Sequence, residues 1–221
     1  MQNTYKFSSI TIALSKGRLA DKTIEILEEC GIDCSPLKQN SRKLKIADPS
    51  GVCNFIFVKP SDVPTYVERG VADLGVVGKD TLLEEKKDVY EPIDLDFARC
   101  KLCVAGFVGF DYKKLNRNLR VATKYVNIAK DYYYKKGIDV DIIKLNGSVE
   151  LAPIIGLSDV IVDVVESGKT LKENGLGVLE TICEASARLI VNKASFKTRS
   201  ALIEPLLKQI RRVVAKICLQ F

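Results

Sequence analysis

Short runs of apolar residues alternate with helix-like segments along most of the chain, and this alternation limits the folds that the sequence can adopt. Each helix-like segment buries one face through apolar residues spaced three and four apart. In the first half, the pattern reads as a strand at 10–14, a helix at about 19–30 ended by Gly31, a strand at 55–58, a helix near 63–69 ended by Gly70, and a strand at 73–77. This pattern is typical of a parallel α/β sheet.

The same alternation begins again after a long strand-like segment. It predicts strands at 119–123, 139–145 and 159–165, with helices at about 128–136 and from about 149. We therefore expect two lobes, each a mainly parallel sheet flanked by helices.

Two further strand-like segments, 95–110 and 179–192, are placed where the chain could cross between the lobes. They predict a discontinuous lobe I, formed by 1–94 and 179–221, and a lobe II formed by 95–178. The last part of the chain, 195–218, reads as one helix. Ligands of such folds bind beyond the carboxyl ends of parallel strands, so the active site is expected in the cleft between the lobes.

Composition favours a folded protein that handles small anions. The 221 residues are 47% hydrophobic, which suits one large domain or two small lobes. The sequence shows neither an apolar run of roughly 18 residues nor a secretory cleavage pattern, so we expect a soluble, cytoplasmic protein. The net charge of +6 comes from 34 basic and 28 acidic residues spread along the chain, which fits polyanionic small substrates better than DNA.

The lack of histidine narrows the chemistry further. It excludes Ser-His-Asp and Cys-His nucleophiles and a histidine general base. Seven cysteines in a chain without an export signal are expected to be reduced thiols. Cys100 and Cys103 have the spacing of a metal or redox pair, but they lie in a predicted strand, where their side chains point to opposite faces. We therefore predict no metal site built from protein ligands.

A strand, a glycine turn and a helix follow one another near the end of lobe II. Ser167, Gly168 and Thr170 lie in the turn, where backbone N–H groups, the helix dipole and two hydroxyls favour a phosphate group. A Walker A loop would need glycine five positions before Gly168, and Asp163 occupies that position. Asp163 is instead placed to accept hydrogen bonds from a ribose diol, and Glu166 either does the same or is a solvated side chain. A surface turn without a ligand stays an alternative on these residues alone.

The segment around this turn carries a family signature. It reads NGSVELAPIIGLSDVIVDVVESGKTL (146–171), then NGL (174–176), and it resembles the signature of the ATP phosphoribosyltransferases. Glu150, Gly156, Asp163, Gly168 and Thr170 stand at the family's spacing. Four further blocks resemble the same family in the same order: ALSKGRL (13–19), SRKL (41–44), SDVPTYVERGVADLGVVGKD (61–80) and ATKY (122–125).

The resemblance implies a two-lobed fold similar to periplasmic binding proteins. It also implies transfer of the 5-phosphoribosyl group of phosphoribosyl pyrophosphate (PRPP) to N1 of ATP, the first step of histidine biosynthesis, with Mg²⁺ carried by the substrate. The PRPP-binding residues predicted for this chain are Glu150, Asp163, Glu166, Ser167, Gly168, Lys169 and Thr170. The predicted ATP-binding residues are Lys16, Gly17, Arg18, Arg42, Asp73 and Lys101, of which Lys16, Arg18 and Arg42 are also the predicted catalytic residues.

The resemblance is to the short form of the family, and this sets the expected partners. It implies a homodimer and a hetero-oligomer with a regulatory subunit similar to histidyl-tRNA synthetase, without a nucleic-acid or membrane partner. Because the terminal helix pattern leaves no residues for a further domain, we expect that this chain is not itself the histidine sensor. Two alternatives stay open: a non-catalytic small-molecule-binding or sensor protein of the same fold, and a phosphoribosyltransferase with another acceptor.

Overall fold

The strands predicted from the apolar runs form two separate sheets. The computed structural model describes residues 9–39 and 42–218, and it divides the chain into two compact units. Unit 1 comprises Met1–Ala98 and Ser186–Phe221, and unit 2 comprises Arg99–Ala185. Unit 2 begins and ends a few residues later than the predicted lobe II, because its last strand runs on to Ala185 beside the strand that begins at Cys100.

The elements follow one another in chain order. Unit 1 begins with β1 (Ile10–Leu14), α1 (Arg18–Glu29), β2 (Lys45–Ala47), β3 (Cys53–Phe57), α2 (Val63–Glu68), β4 (Leu74–Gly78), α3 (Lys79–Glu85) and β5 (Tyr90–Asp94). Unit 2 contains β6 (Cys100–Phe107), β7 (Leu119–Thr123), α4 (Val126–Lys135), β8 (Val140–Lys144), α5 (Leu151–Ile154), β9 (Val160–Val165), α6 (Lys169–Glu173) and β10 (Leu176–Ala185). The chain then returns to unit 1 as β11 (Ala187–Val191), α7 (Lys193–Thr198) and α8 (Ser200–Cys218).

Both sheets are mixed. Sheet 1 has the order β2-β3-β1-β4-β11-β5, in which β3-β1 and β1-β4 are parallel and the other pairs antiparallel. Sheet 2 has the order β10-β6-β9-β7-β8, in which β9-β7 and β7-β8 are parallel. The predicted two-lobed α/β class is confirmed. The parallel pairs lie among the central strands of each sheet, whereas β2 and the strands that enter or leave each unit pair antiparallel.

Side-chain alternation in sheet 1 produces a core on each of its faces. In β1, Ile12 and Leu14 point into the core shared with α1 and α8, whereas Ala13 points into the core formed with α2. A Cβ added to Gly75 would lie 2.8 Å from side-chain atoms of Val63 and Val67, which shows that α2 packs directly on β4. Position 75 therefore requires glycine for this close packing.

The C-terminal segment forms two helices where one was predicted. Asn192 caps α7 by accepting a hydrogen bond from the Ser195 N–H at 2.8 Å, and the helical path breaks at Arg199 before α8 begins. The apolar stripe of α8 lies in the unit 1 core, with Ile203 fully buried. Within residues 9–39 and 42–218, no helix is both long enough and apolar enough to cross a bilayer.

Sheet 2 likewise separates two cores. Val104, Val121 and Val162 pack against Tyr133 of α4 on one face, and Ala105 and Ile161 pack against α5 and α6 on the other. The second face is the one that positions the glycine turn, because Leu171 of α6 is buried in it.

Candidate active site

The parallel strands of unit 2 bring several polar segments to one edge of sheet 2. β7, β8 and β9 run in the same direction, so their carboxyl ends and the segments that follow them, 124–125, 146–150 and 166–168, lie at the same edge. β6 is antiparallel to β9 and therefore begins at this edge, where Lys101 pairs with Val165. This edge holds Lys101 together with the predicted PRPP-binding residues, namely Glu150, Asp163, Glu166, Ser167, Gly168, Lys169 and Thr170.

The glycine turn after β9 has the local geometry expected of an anion-binding loop. Gly168 has φ 71° and ψ 4°, a left-handed conformation that residues with a Cβ avoid, and α6 starts at the next residue. Ser167 and Thr170 are exposed, and the Ser167 Oγ accepts a hydrogen bond from the Lys169 N–H at 3.4 Å. The first N–H groups of a helix lack partners within the helix, so the turn can offer donors to a ligand.

Asp163 and Val165 share one face of β9, because they are two residues apart. Their direct neighbours on β6 are Cys103 and Lys101. A Cβ at Gly168 would lie 3.8 Å from a methyl carbon of Val165, so the glycine turn folds back over this same face. Asp163 is half-buried there. The structure thus brings the predicted ribose carboxylate and the predicted phosphate turn onto one side of sheet 2.

A second set of predicted residues lies at one edge of sheet 1. Lys16, Gly17 and Arg18 follow β1, and all three are exposed. Arg42 precedes β2, which pairs antiparallel with β3, and the Leu44 carbonyl accepts a hydrogen bond from the Phe57 N–H at 2.9 Å. Arg42 therefore lies at the carboxyl end of β3, which is also the edge of Lys16 and Arg18.

Lys16 is held at this edge by its contact with β3. Its Nζ lies 5.9 Å from the centre of the Phe57 ring, within the range of a cation–π contact. Gly17, with φ 106°, makes the turn that leads from β1 into α1. The neighbouring Ser41, part of one of the family blocks, lies outside the described residues.

Asp73 does not lie with these cations. It precedes β4 at the amino end of that strand, and its side chain is 4% exposed. Its Oδ2 accepts hydrogen bonds from the Thr11 N–H and from the Arg199 guanidinium, both at 2.8 Å. The geometry gives this carboxylate a structural role, since it joins β1 to the break between α7 and α8, and the predicted ATP contact of Asp73 stays a prediction.

Lys101, predicted to bind ATP, lies in unit 2, where it is beside the glycine turn. Its ammonium group is 3.6 Å from Glu184 of β10, the next strand of the sheet. The sequence did not reveal that Glu184 is the neighbour of Lys101. The two residues lie on antiparallel strands far apart in the chain, and such a pairing produces no regular residue spacing.

Burial lowers the thiolate fraction of three cysteines in the described part of the chain. Burial raises the pKa of Cys103, and it raises the pKa of Cys34 to about 12 and that of Cys53 to about 11. Cys100 and Cys103 point to opposite faces of β6, as expected for residues three apart in a strand. In the described parts of the chain, no three metal-binding side chains are grouped closely enough to hold an ion.

Comparisons with known proteins identify the family. The model of the ATP phosphoribosyltransferase family matches residues 59–212. An ATP phosphoribosyltransferase of Thermoanaerobacter sp. (strain X514) is 56% identical over 206 residues, which are 93% of this chain and 96% of that protein. The corresponding protein of Clostridium acetobutylicum is 49% identical over 211 residues, 96% of this chain and 98% of its own.

Solved structures agree with these sequence matches. The ATP phosphoribosyl transferase (HisG:HisZ) complex from Thermotoga maritima contains a chain with a TM-score of 0.81 and 36% identity, covering 93% of this chain and 97% of that one. The periplasmic aliphatic sulphonate binding protein SsuA from Escherichia coli, at 13% identity and a TM-score of 0.62, shares the fold alone. On these grounds, the chain belongs to the ATP phosphoribosyltransferase family.

Proposed function

We propose that the chain transfers the 5-phosphoribosyl group of PRPP to N1 of ATP and releases pyrophosphate, the first step of histidine biosynthesis. One observation carries the proposal. In a member of this family, the residues predicted to bind PRPP come from the ends of two strands, β8 and β9, and they share the edge of sheet 2 at which the glycine turn lies.

The glycine turn would bind the phosphate monoester of PRPP. Ser167 and Thr170 offer hydroxyl donors, the backbone around Gly168 offers N–H groups, and Lys169 offers a positive charge. Asp163 and Glu166 would accept hydrogen bonds from the ribose hydroxyls. Together with Glu150, these residues would fix the position of the ribose C1 atom.

The cations of unit 1 would act on the polyphosphate groups. Lys16, Arg18 and Arg42 carry charge at the carboxyl edge of sheet 1, with Gly17 allowing the backbone to turn there. Their role is to stabilise the negative charge that grows on the departing pyrophosphate. Asp73 is left out of this set, because its carboxylate is bound to Arg199 and the Thr11 N–H.

The reaction fits a chain without histidine. Adenine N1 attacks the ribose C1 with its own lone pair, so it needs no general base. The bond between C1 and the pyrophosphate oxygen breaks, and its electron pair leaves with pyrophosphate. What the protein must supply is positioning and positive charge.

The family's chemistry uses a divalent metal, and we propose Mg²⁺. Carboxylates are present at the PRPP edge, but the described residues include no closely grouped set of three metal-binding side chains. This donor set fits an ion whose ligands come mainly from phosphate oxygens and water. When bound, Mg²⁺ adds positive charge at the leaving group.

We also propose that the chain works in a larger assembly in the cytoplasm, where ATP and PRPP are available. The Thermotoga maritima relative was solved as a HisG:HisZ complex, and the same kind of hetero-oligomer is proposed here, with a regulatory subunit similar to histidyl-tRNA synthetase and a homodimer of the catalytic chain. The apolar stripe of α8 packs within unit 1, so these side chains are not available to a partner.

The test is direct. The purified chain is incubated with ATP, PRPP and Mg²⁺, and product is followed by the absorbance of an N1-substituted adenine nucleotide and by pyrophosphate release. Pyrophosphate release with a different acceptor, but not with ATP, would support a different phosphoribosyltransferase. Binding of PRPP without pyrophosphate release from any acceptor, with the regulatory partner present, would support a sensor protein instead.

A further inference from the structure

Glu184, Lys101 and Val165 form a row across three strands of sheet 2. Glu184 of β10 pairs with Lys101 of β6, and Lys101 pairs with Val165 of β9. Residues directly opposite each other in a ladder project from the same face. The 3.6 Å separation between the Lys101 ammonium and the Glu184 carboxylate agrees with this.

This row ends at the glycine turn. The methyl carbon of Val165 would lie 3.8 Å from a Cβ added to Gly168, so the face that carries Lys101 is the face over which the turn folds. Cross-strand neighbours have Cβ atoms about 4.5–5.5 Å apart, a distance that the four-carbon stem of a lysine spans easily. The Lys101 ammonium can therefore reach a phosphate held at the turn.

The ion pair between Lys101 and Glu184 is weak enough for a ligand to replace Glu184. Its side chains are 56% and 77% exposed, and the 3.6 Å separation exceeds that of a hydrogen bond. Exposed pairs of this kind are weak. A phosphate monoester carries more negative charge than one carboxylate and offers three acceptor oxygens. It would therefore displace Glu184 from the lysine.

We infer that Glu184 is a specificity-determining counter-ion at the glycine turn. In the ligand-free protein it forms an ion pair with Lys101, and when the phosphate of the substrate binds, Lys101 leaves Glu184 and pairs with the phosphate. The inference rests on the proposed function, because it takes a phosphate monoester as the ligand of the turn. Glu184 then lowers the affinity for weakly charged anions, which cannot displace it, and leaves the turn selective for doubly charged phosphate.

The experiment measures binding of ribose 5-phosphate to the full chain by calorimetry. Glu184→Gln removes the competing charge and should tighten binding about two- to fivefold, the range expected from one exposed ion pair. Lys101→Met should weaken binding, and Glu184→Gln should have no further effect in the Lys101→Met background. High salt should reduce the gain in the single variant.

A matched control is available on the same unit. Asp111 lies 3.6 Å from Lys114 in an exposed pair beyond the carboxyl end of β6, at the edge of sheet 2 opposite the glycine turn. Asp111→Asn removes the same charge, and its ribose 5-phosphate affinity should match that of the wild type.

The outcomes separate the two proposals. Unchanged or weaker binding in Glu184→Gln, with the wild type binding normally, overturns the role of Glu184 and leaves the proposed function intact. An equal gain in Asp111→Asn shows a general charge effect and also overturns it. A wild-type chain that binds neither ribose 5-phosphate nor PRPP removes both proposals.

Discussion

Arg199 Nη1 lies 2.8 Å from the buried Asp73 Oδ2, and this ion pair joins the start of β4 to the break between α7 and α8. Asp73 is buried and the Arg199 side chain is 28% exposed, so the loss of this pair should cost at most about 3 kcal/mol, the lower end of the range for fully buried pairs. Asp73→Asn should therefore lower the free energy of unfolding by at most that amount, with the KM for ATP unchanged. Denaturant unfolding and steady-state kinetics of the same preparation test both statements. Normal stability with a large rise in the KM for ATP would return Asp73 to the substrate site.

Gly168→Val should abolish PRPP binding, because valine is strained at φ 71° and the turn would have to change shape. Gly137, with φ 66° at the end of α4, provides the matched control. Gly137→Val should show a similar loss of stability, about 1–2 kcal/mol, and normal PRPP affinity. Calorimetric titration of both variants separates strain from ligand contact. Equal PRPP affinity in the two variants would remove the turn from the site.

Arg18→Ala and Arg42→Ala should each lower kcat more than they weaken ATP binding. The reason is that charge on the pyrophosphate grows in the transition state, where one lost donor costs about 2.7–4 kcal/mol, or about a hundred- to a thousandfold in rate. Steady-state kinetics, together with ATP binding measured separately, provide the comparison. A raised KM with normal kcat would mean that these arginines bind the substrate equally in the ground and transition states.

The ionisation of Glu180 should make the free energy of unfolding depend on pH. Burial works against its charge, but hydrogen bonds from Lys136, Tyr132 and Tyr112 outweigh burial and lower its pKa to about 2. Because the folded-state pKa is below the ordinary value, the stabilisation is present above about pH 4.5 and is lost as the pH falls towards 2.

Glu180→Gln should therefore destabilise the chain at pH 7 by at most about 3 kcal/mol, and the difference from the wild type should shrink as the pH falls from about 4.5 to 2. Urea unfolding at several pH values measures this. A difference that stays constant over the range would show that packing, and not ionisation, determines the effect.

Histidine should not inhibit this chain by itself. If a regulatory subunit supplies the histidine site, inhibition should appear only when that subunit is added. The measurement is a titration of activity with histidine, with and without the partner. Strong, saturable inhibition of the chain alone at micromolar histidine, at a site separate from the substrates, would contradict this prediction.

The sequence predicted the central strands well because helix and strand periodicities alternate there. The strand at 119–123 was placed as the structure has it, and β1 likewise. The short β2 and the edge strand β5 were missed, since three- and five-residue strands with exposed positions show little periodicity. The break at Arg199 was also missed, because the apolar spacing continues through it and the ion pair of Arg199 with the distant Asp73 leaves no local signal.

The candidate site divides in the same way. The sequence revealed the glycine turn, Asp163 and the basic segment after β1, because each lies within or directly after a strand with a clear apolar pattern. Asp73 was assigned to ATP because its block resembles the family as a whole, and the sequence did not reveal its ion pair with the distant Arg199. The neighbour of Lys101 depends on β10 pairing with β6, which no local pattern indicates.

The insertion of unit 2 between two parts of unit 1 sets an order for folding during synthesis. Arg99–Ala185 is continuous, so all its strands are synthesised before β11. Unit 1 at that stage lacks the strand between β4 and β5 and the helix that covers Ile12 and Leu14. The nascent chain must therefore expose those apolar side chains until α8 emerges. The partly synthesised unit 1 is thus the folding intermediate that most needs a chaperone.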